Sequence, residues 1–527
     1  MLPDAIEKWQ QHLGPAAVQA DAATIARYAR TTGPAGTTPG AVLYPSNTAQ
    51  VQEIVGIASK FGVPLYPISR GKNWGYGDAC APTDGQVIVD LGRMNRIVQV
   101  DAKLAYAIIE PGVSQGQLYA YLLAHHPDLW MDVTGAGPDA SVAGNTLDRG
   151  FGHTPCGDHF HNAAGFEVVL PDQRLLRTGF GDYPGAHATP CYRYGIGPAL
   201  EGLFSQSNLG IVTQLAIWLN RRPAAMQAFF VTAPQREDLP DLIDRLMPLR
   251  LEGLLRSAVH VANDLRVMSS RIRHPGAATG QPMTPQQRTQ ARQALRIGAW
   301  SVTGAIYGTD ATVAATRKAV KAALRGYRVV FLNDAKLRRA RRAFRWLRWL
   351  PMARTFNEQL NSAEPAYDLL KGEPRDAFLR GVLWQAAEPM GEGDSLDPLD
   401  HDVGLIWVSP VAPADGRHAD RVLKLMEPIY AQHHFDLPVT LTFITERALC
   451  VVSNITFDRR RPDQTKRAQE CHESLLRALI AGGYPPYRTG PEGFRLIRTD
   501  SVFWQTCRQL KKTLDPKGIM SPGRYIG

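Results

Sequence analysis

The stretch YPISRGKNWGYGDACAP, residues 66–82, places glycines at 71, 75 and 77, a GxxxGxG spacing between two apolar, strand-like segments. That spacing fits the commonest dinucleotide fold poorly. A Rossmann fingerprint is GxGxxG opening a helix whose N-terminus receives the pyrophosphate, whereas the next element here, QVIVDL, reads as a strand. A loop rich in glycine and polar residues still holds phosphate without a helix, because successive backbone N–H groups form an anion-binding nest. On this loop alone, a plain connection between strands accounts for the glycines as well. Two more glycine-rich stretches favour a ligand: GAGPDASVAGNTLDRGFGHTPCGD at 135–158, and SQSNLGIVTQLAIWL at 205–219, which ends in a strand. Three such loops before residue 220, each joined to strands, describe one large ligand clasped at several points.

The frame around the first loop is regular. TAQVQEIVGIASKF, residues 48–61, carries Val51, Ile54, Val55 and Ala58 at helical spacing, behind a Ser/Asn/Thr cap cluster and ahead of Gly62, which stops the helix. The strands PLYPIS, QVIVDL and YAIIEPG follow. From about residue 223 the texture changes. Strand-like runs such as AFFVTA, WSVTGAIYG, GLIWVSPVAP and LCVVSNITF alternate with helical segments at 309–324 and 415–431, which predicts antiparallel strands with helices on one face. The polar, Arg-rich region 262–296 reads as a mobile loop over a site. The closing LDPKGIMSPGRYIG is turn-rich and holds Arg524; its prolines make it stiffer than most free tails.

Length and composition set few limits. The 527 residues allow two or more domains with their own cores, and 44 % apolar with 20 % charged residues is a globular composition. The net charge of +10 points toward nucleic acid, but KLRRARRAFRWLRWLPMAR, Lys336 to Arg354, supplies much of it with eight cations and no acid. Phe344, Trp346 and Trp349 interleave with its arginines, as in a basic amphipathic helix. Such a helix reads as a solvated face packed on its own domain, or as a contact for a membrane surface or an acidic partner; no nucleic-acid recognition motif accompanies it. The six cysteines show no CxxC and no metal spacing, so reduced structural thiols and no metal are expected. The start, MLPDAIEKWQQHLG, lacks the pattern of a signal peptide, which makes cytoplasm the default location, or periplasm if a co-exported partner carries the chain.

Several pieces coincide in order with the motifs of one family. PISRGKNWGYG, IEPGV (109–113), AGNTLDRGFGHTPCGDH (143–159), FSQSNLGIVT (204–213), PPYRTG (485–490) and LDPKGIMSPGRY together resemble the vanillyl-alcohol oxidase and para-cresol methylhydroxylase flavoproteins. The resemblance covers nearly the whole chain. It implies an α+β, two-domain FAD-binding fold with an antiparallel-sheet cap: residues 1–222 as the FAD domain, 223–483 as the substrate or cap domain, and 484–527 as a return to the FAD domain. It implies FAD held by Ser69, Arg70, Gly71, Lys72, Asn73, Trp74 and Gly75 around the pyrophosphate, with Pro111, Gly112, Gly144, Asn145, Gly210, Ile211 and Val212 along the flavin and adenosine. Arg524 would stabilise negative charge on the reduced ring.

The family's substrates are para-substituted phenols, and the chemistry explains the residue types. Removing a hydride from a benzylic carbon is easy only from the phenolate, which pushes electrons toward the para position and leaves a quinone methide. A site must therefore lower a phenol pKa of about 10 by several units, with a cation and hydrogen-bond donors. Arg488, Tyr76 and Tyr487 match the family's phenolate-binding set. Asp148 matches its acid beside the flavin, with a role in tuning the flavin, aiding water addition or accepting an alcohol proton; pairing with the adjacent Arg149 is the competing reading. The chain departs from the family where many members tether FAD to a His or Tyr. Gly404, Leu405 and Ile406 stand there, so FAD is expected to be noncovalent, with His401 as the fallback tether. A His of some relatives falls near Cys450. Electrons would pass to O2 or to a c-type cytochrome, the second favoured slightly by FLRGVLW (378–384), and a homodimer or larger assembly is expected. The competing function is a same-fold FAD oxidoreductase for a hydroxy acid or lactone, which would lack the tyrosine and arginine set.

Overall fold

The structure, a computed structural model, describes residues 2–277, 279–347, 349, 351–386 and 393–527. Three short strands, Ala41–Leu43, Val87–Asp90 and Leu65–Ile68, lie parallel with Val87–Asp90 in the centre, and Val18–Gln19 pairs antiparallel at the outer edge. The helix Thr48–Phe61 connects two of them. Asn47 caps it by accepting the amide of Gln50 at 3.0 Å, and Gly62 ends it in the left-handed region. Its predicted apolar stripe, Val51, Ile54, Val55 and Ala58, is buried against Trp9, Leu43, Leu65 and Val87. The glycine loop begins directly after Ile68, so it leaves the carboxyl end of a parallel strand, where ligands of such sheets bind.

A second sheet is antiparallel in the order Ile97–Asp101, Tyr106–Ile109, Ile211–Trp218, Ala163–Val169, Leu175–Arg177. The third is the largest. It runs Arg328–Leu332, Ala225–Ala233, Trp300–Gly308, His260–Asn263, Val439–Phe443, Ala448–Asp458, Val403–Val408, with Val411–Pro413 also paired to Ala448–Asp458, and every pairing is antiparallel. Side chains alternate across a strand, and this sheet uses the alternation to separate core from site. Val261, Val302, Ile406, Val408, Leu441 and Val451 enter the core beneath the helices Leu239–Leu251, Asp310–Ala323, Gly416–Gln432 and Pro462–Ala481. Their neighbours His260, Ser301, Thr303, Trp407, Thr440 and Thr442 face the opposite side and line a cavity.

One expectation from the sequence changes here. The region 262–296 holds the helices Asp264–Ser269 and Pro285–Leu295. It is pinned by Arg288 Nε donating to Asp264 at 2.7 Å and by His274 Nε2 against Asp436 at 2.7 Å, so it is a fixed wall rather than a loose lid. The C-terminal segment is stitched beside the first sheet: the amide of Leu65 donates to the Ile519 carbonyl at 2.7 Å, and the amide of Ser521 to the Leu65 carbonyl at 2.8 Å. The basic segment forms the helix Asp334–Leu347, packed on the helix Pro351–Leu369 through Arg341, which donates to Asn361 at 2.6 Å and pairs with Glu364. Trp346 is 81 % exposed and Trp349 69 %; Arg348 lies outside the described residues.

Candidate active site

A cavity of about 800 Å³ lies between the glycine loops and the polar face of the large sheet. Ser69, Arg70, Gly71, Lys72, Asn73 and Trp74 form one wall, and Pro111, Gly144, Asn145, Gly210, Ile211, Val212 and Arg524 continue it. The amides of Arg70, Gly71, Lys72, Asn73 and Trp74 make no hydrogen bond among the described residues. Five consecutive free N–H groups beside a cavity are what an anion nest requires, in the place the glycine spacing suggested. Gly144 keeps the opposite wall close, since a Cβ there would lie 2.4 Å from Ser69 Oγ.

Two of the predicted cofactor residues do other work. Gly75 donates its amide to Thr32 Oγ1 at 2.8 Å and stands behind the wall, with φ of 73°. Gly112 donates to the Met94 carbonyl at 2.7 Å and is packed among backbone carbonyls. Neither amide is available to a ligand.

The four predicted catalytic residues, far apart in sequence, meet at one end of the cavity. The Arg488 guanidinium lies 4.0 Å from the centre of the Tyr76 ring and forms an ion pair with Asp148. It also donates to the side-chain carbonyl of Asn73. Asp148 accepts in addition from the Tyr525 hydroxyl at 2.6 Å and the Asn73 amide at 3.3 Å. Its partner is therefore Arg488, not Arg149, which donates to Ser205 Oγ at 2.9 Å. Tyr76 exchanges a hydrogen bond with Ser409 Oγ at 2.9 Å and stacks on Trp407 with centroids 6.4 Å apart. Tyr487 packs against Phe151, and its carbonyl and that of Asp148 both receive Gln206 Nε2, at 2.9 and 3.1 Å. Arg524, 1 % exposed, donates to the Tyr76 carbonyl at 2.6 Å.

The electrostatics follow from burial and charge. Burial pushes Tyr76 up to about 12, with Arg488 opposing, and pushes Tyr487 well above the usual tyrosine range, so both hydroxyls keep their protons at neutral pH. Burial alone would raise Asp148, but the charges of Arg488 and Arg524 and the hydrogen bonds of Tyr525 and Asn73 hold it below the usual carboxylate range. Arg488, disfavoured by burial, is held charged by Asp148. The end of the cavity thus offers a permanent cation and two hydroxyl donors.

The strand Val403–Val408 presents Leu405 and Trp407 to the cavity. Leu405 offers no nucleophile. His401 is not among the lining residues; its Nε2 lies 2.6 Å from the Ser395 carbonyl. Sequence reading did not identify Ser409, Gln206, Tyr525 or Trp407. Tyr525 had a signal in its place beside Arg524 and Gln206 in its place in FSQSNLGIVT; Ser409 and Trp407 are brought to the site only by tertiary contact. FLRGVLW contributes Phe378, Leu379 and Val382 to the lining. Cys450 is fully buried in the strand Ala448–Asp458.

Residues 39–179 match the FAD binding domain family. Over 99 % of its length the chain is 36 % identical to the 1'-carboxy-chondrochloren decarboxylase of Chondromyces crocatus, covering 97 % of that protein. The chain belongs to the vanillyl-alcohol oxidase and para-cresol methylhydroxylase family of flavoproteins. It is also 29 % identical to the 4-cresol dehydrogenase [hydroxylating] flavoprotein subunit of Pseudomonas putida, over 99 % of this chain and 94 % of that one. The 4-ethylphenol oxidase of Gulosibacter chungangensis superimposes with a TM-score of 0.87 at 29 % identity, covering 99 % of this chain and 96 % of its own. Like other members of this flavoprotein family, the chain is an FAD-binding oxidoreductase. The observed cavity fits that cofactor: the five free amides suit its pyrophosphate, and the orphaned, buried Nε of Arg524 and of Arg488 suit an electron-rich ring system.

Proposed function

We propose that this flavoprotein oxidises a para-substituted phenol at the carbon attached to the ring. The observation that carries the reading is the convergence of Arg488, Tyr76 and Tyr487 at one end of the cavity. A phenol entering there loses its proton because the phenolate is paired with a guanidinium and receives two hydroxyl donors. The phenolate then pushes charge into its para substituent, which is what releases a hydride and forms the quinone methide. Bound FAD, noncovalent because Leu405 occupies the wall, supplies the hydride acceptor. Arg524 and the amides of Arg70 to Trp74 hold the cofactor's negative charge.

Asp148 is saturated by Arg488, Tyr525 and Asn73. This suits a fixed anion that holds Arg488 in place better than a base that takes up a proton in each cycle. The relatives' names differ, a decarboxylase against a hydroxylating dehydrogenase, so the reading rests on the site rather than on either name. A hydroxy acid or lactone substrate would leave the Tyr76, Tyr487 and Arg488 set without a task. Electrons pass onward to O2 or to a c-type cytochrome, and stoichiometric peroxide during aerobic turnover would identify the oxidase.

The deciding experiment is Arg488→Ala assayed on 4-ethylphenol. The expected result is a fall in kcat/KM on the order of 100- to 1000-fold, with flavin content retained. Turnover equal to wild type would remove the phenolate model.

A further inference from the structure

Arg266 has no task in the mechanism above, yet it lies in the same cavity. It projects from the helix Asp264–Ser269, directly after the sheet strand His260–Asn263. Its guanidinium lies 5.6 Å from the centre of the Trp407 ring. Trp407 in turn stacks on Tyr76, at 6.4 Å and 19°, and Tyr76 carries Arg488. Arg266 therefore stands two rings along the wall from the cation assigned to the phenolate.

Its hydrogen bonds anchor it without neutralising it. Nη2 donates to the carbonyls of Pro438 at 3.0 Å and Val452 at 3.4 Å. Nε and Nη1 make no hydrogen bond among the described residues, and no carboxylate there forms an ion pair with Arg266. Arg288 on the neighbouring helix shows the contrast, since it is paired to Asp264. Burial draws Arg266 down to about 10. A half-buried guanidinium that faces a cavity without a counter-ion is costly to keep there.

The rest of the lining sharpens the point. Among the described residues its carboxylates are Asp78 and Asp148. Asp78 accepts from Thr31 and Thr32 at 2.7 and 2.6 Å, and Asp148 is committed to Arg488. A negatively charged ligand would supply the balancing charge. It is not the pyrophosphate, whose nest is assigned to the Ser69–Trp74 loop.

We infer that the substrate is a para-hydroxyphenyl compound whose side chain ends in a carboxylate, and that Arg266 receives that carboxylate through its free Nε and Nη1. This rests on the phenol reading and names its substrate class. The planar fork of a guanidinium matches two carboxylate oxygens, so Arg266 orients the side chain while Arg488 fixes the phenolate at the other end. A neutral alkylphenol would fill the ring site only.

The test compares 3-(4-hydroxyphenyl)propanoate with 4-propylphenol, close in size and different in charge, on the FAD-loaded enzyme. Dissociation constants come from titration calorimetry, and the rate of flavin bleaching is followed separately without oxygen. The wild type is expected to bind the acid more tightly. In Arg266→Met the preference for the acid over the neutral phenol should fall about 10- to 100-fold, and Arg266→Lys should keep part of it. A preference that is the same in wild type and Arg266→Met overturns the inference, as does a wild type that binds 4-propylphenol better, while the phenol reading stands. Failure of both compounds to bind and to bleach the flavin overturns the phenol reading, and this inference with it.

Discussion

Gly75 shows how one residue ties the cofactor loop to the substrate wall. At φ of 73°, a Cβ on residue 75 would stand 2.4 Å from Trp407 Cδ1 and 2.9 Å from Leu405 Cγ. Trp407 is held there by its Nε1 donating to the Trp74 carbonyl at 2.9 Å, and it supports the Tyr76 ring. Gly75→Ala combines left-handed strain with overpacking, which together cost about 2–4 kcal/mol. The expected outcome is a lowered unfolding temperature and a reduced flavin-to-protein absorbance ratio. A variant as stable as wild type, with full flavin, would mean the loop does not depend on this contact. From sequence, Gly75 reads as a phosphate-binding amide; Thr32 and Trp407, both distant in the chain, give it its structural role instead.

At the scale of elements, the strand Val403–Val408 carries the proposal that the flavin is held noncovalently. Alternation places Leu405 and Trp407 on the cavity face and Ile406 and Val408 in the core, so the wall carries a hydrocarbon where a tether would need a His or Tyr. His401 precedes the strand and is turned toward Ser395. Acid precipitation of the purified protein should leave the yellow colour in the supernatant; a yellow pellet would show a covalent bond and point to His401. The alternation of this strand is legible in GLIWVSP. Inside 262–296 the helix Pro285–Leu295 carries a sequence signal, the TPQQ capping box at its start, which the polar composition of the region masked.

Across the whole molecule, burial sets the acid limb of stability. His153 and His472 are each drawn down to about 4 by burial, and His260 lies well below the usual histidine value. The unfolded chain takes up protons at these groups below about pH 6.5 while the folded state does not, so stability falls as pH drops from 6.5 toward 4, by up to about 1.4 kcal/mol per pH unit for each group. Asp132 and Asp148 work in a different window. Burial opposes their ionisation, but His159 for the first, and Arg488 and Arg524 for the second, hold them below the usual carboxylate range. Their contribution persists down to about pH 4 and is lost only as pH falls further. Calorimetric unfolding temperatures should therefore drop between pH 7 and 5, and His472→Gln, away from the cavity, should flatten the slope. Unfolding temperatures that do not change over that range would rule out neutral buried histidines.

The sequence by itself determined what is local. Glycine spacing, helix caps and period-two alternation act through backbone geometry within a few residues, so the non-Rossmann loop, the helix Thr48–Phe61 and the antiparallel sheet could be read directly, and the ordered motifs carried the family and FAD. Only the tertiary structure decided which side chains share a cavity. Arg488 meets Asp148, Tyr76 meets Ser409 and Trp407, and Arg266 has no carboxylate partner among the described residues, because elements distant in sequence pack together. Such contacts arise from the fit of whole sheets and loops, and no short stretch of the chain encodes them.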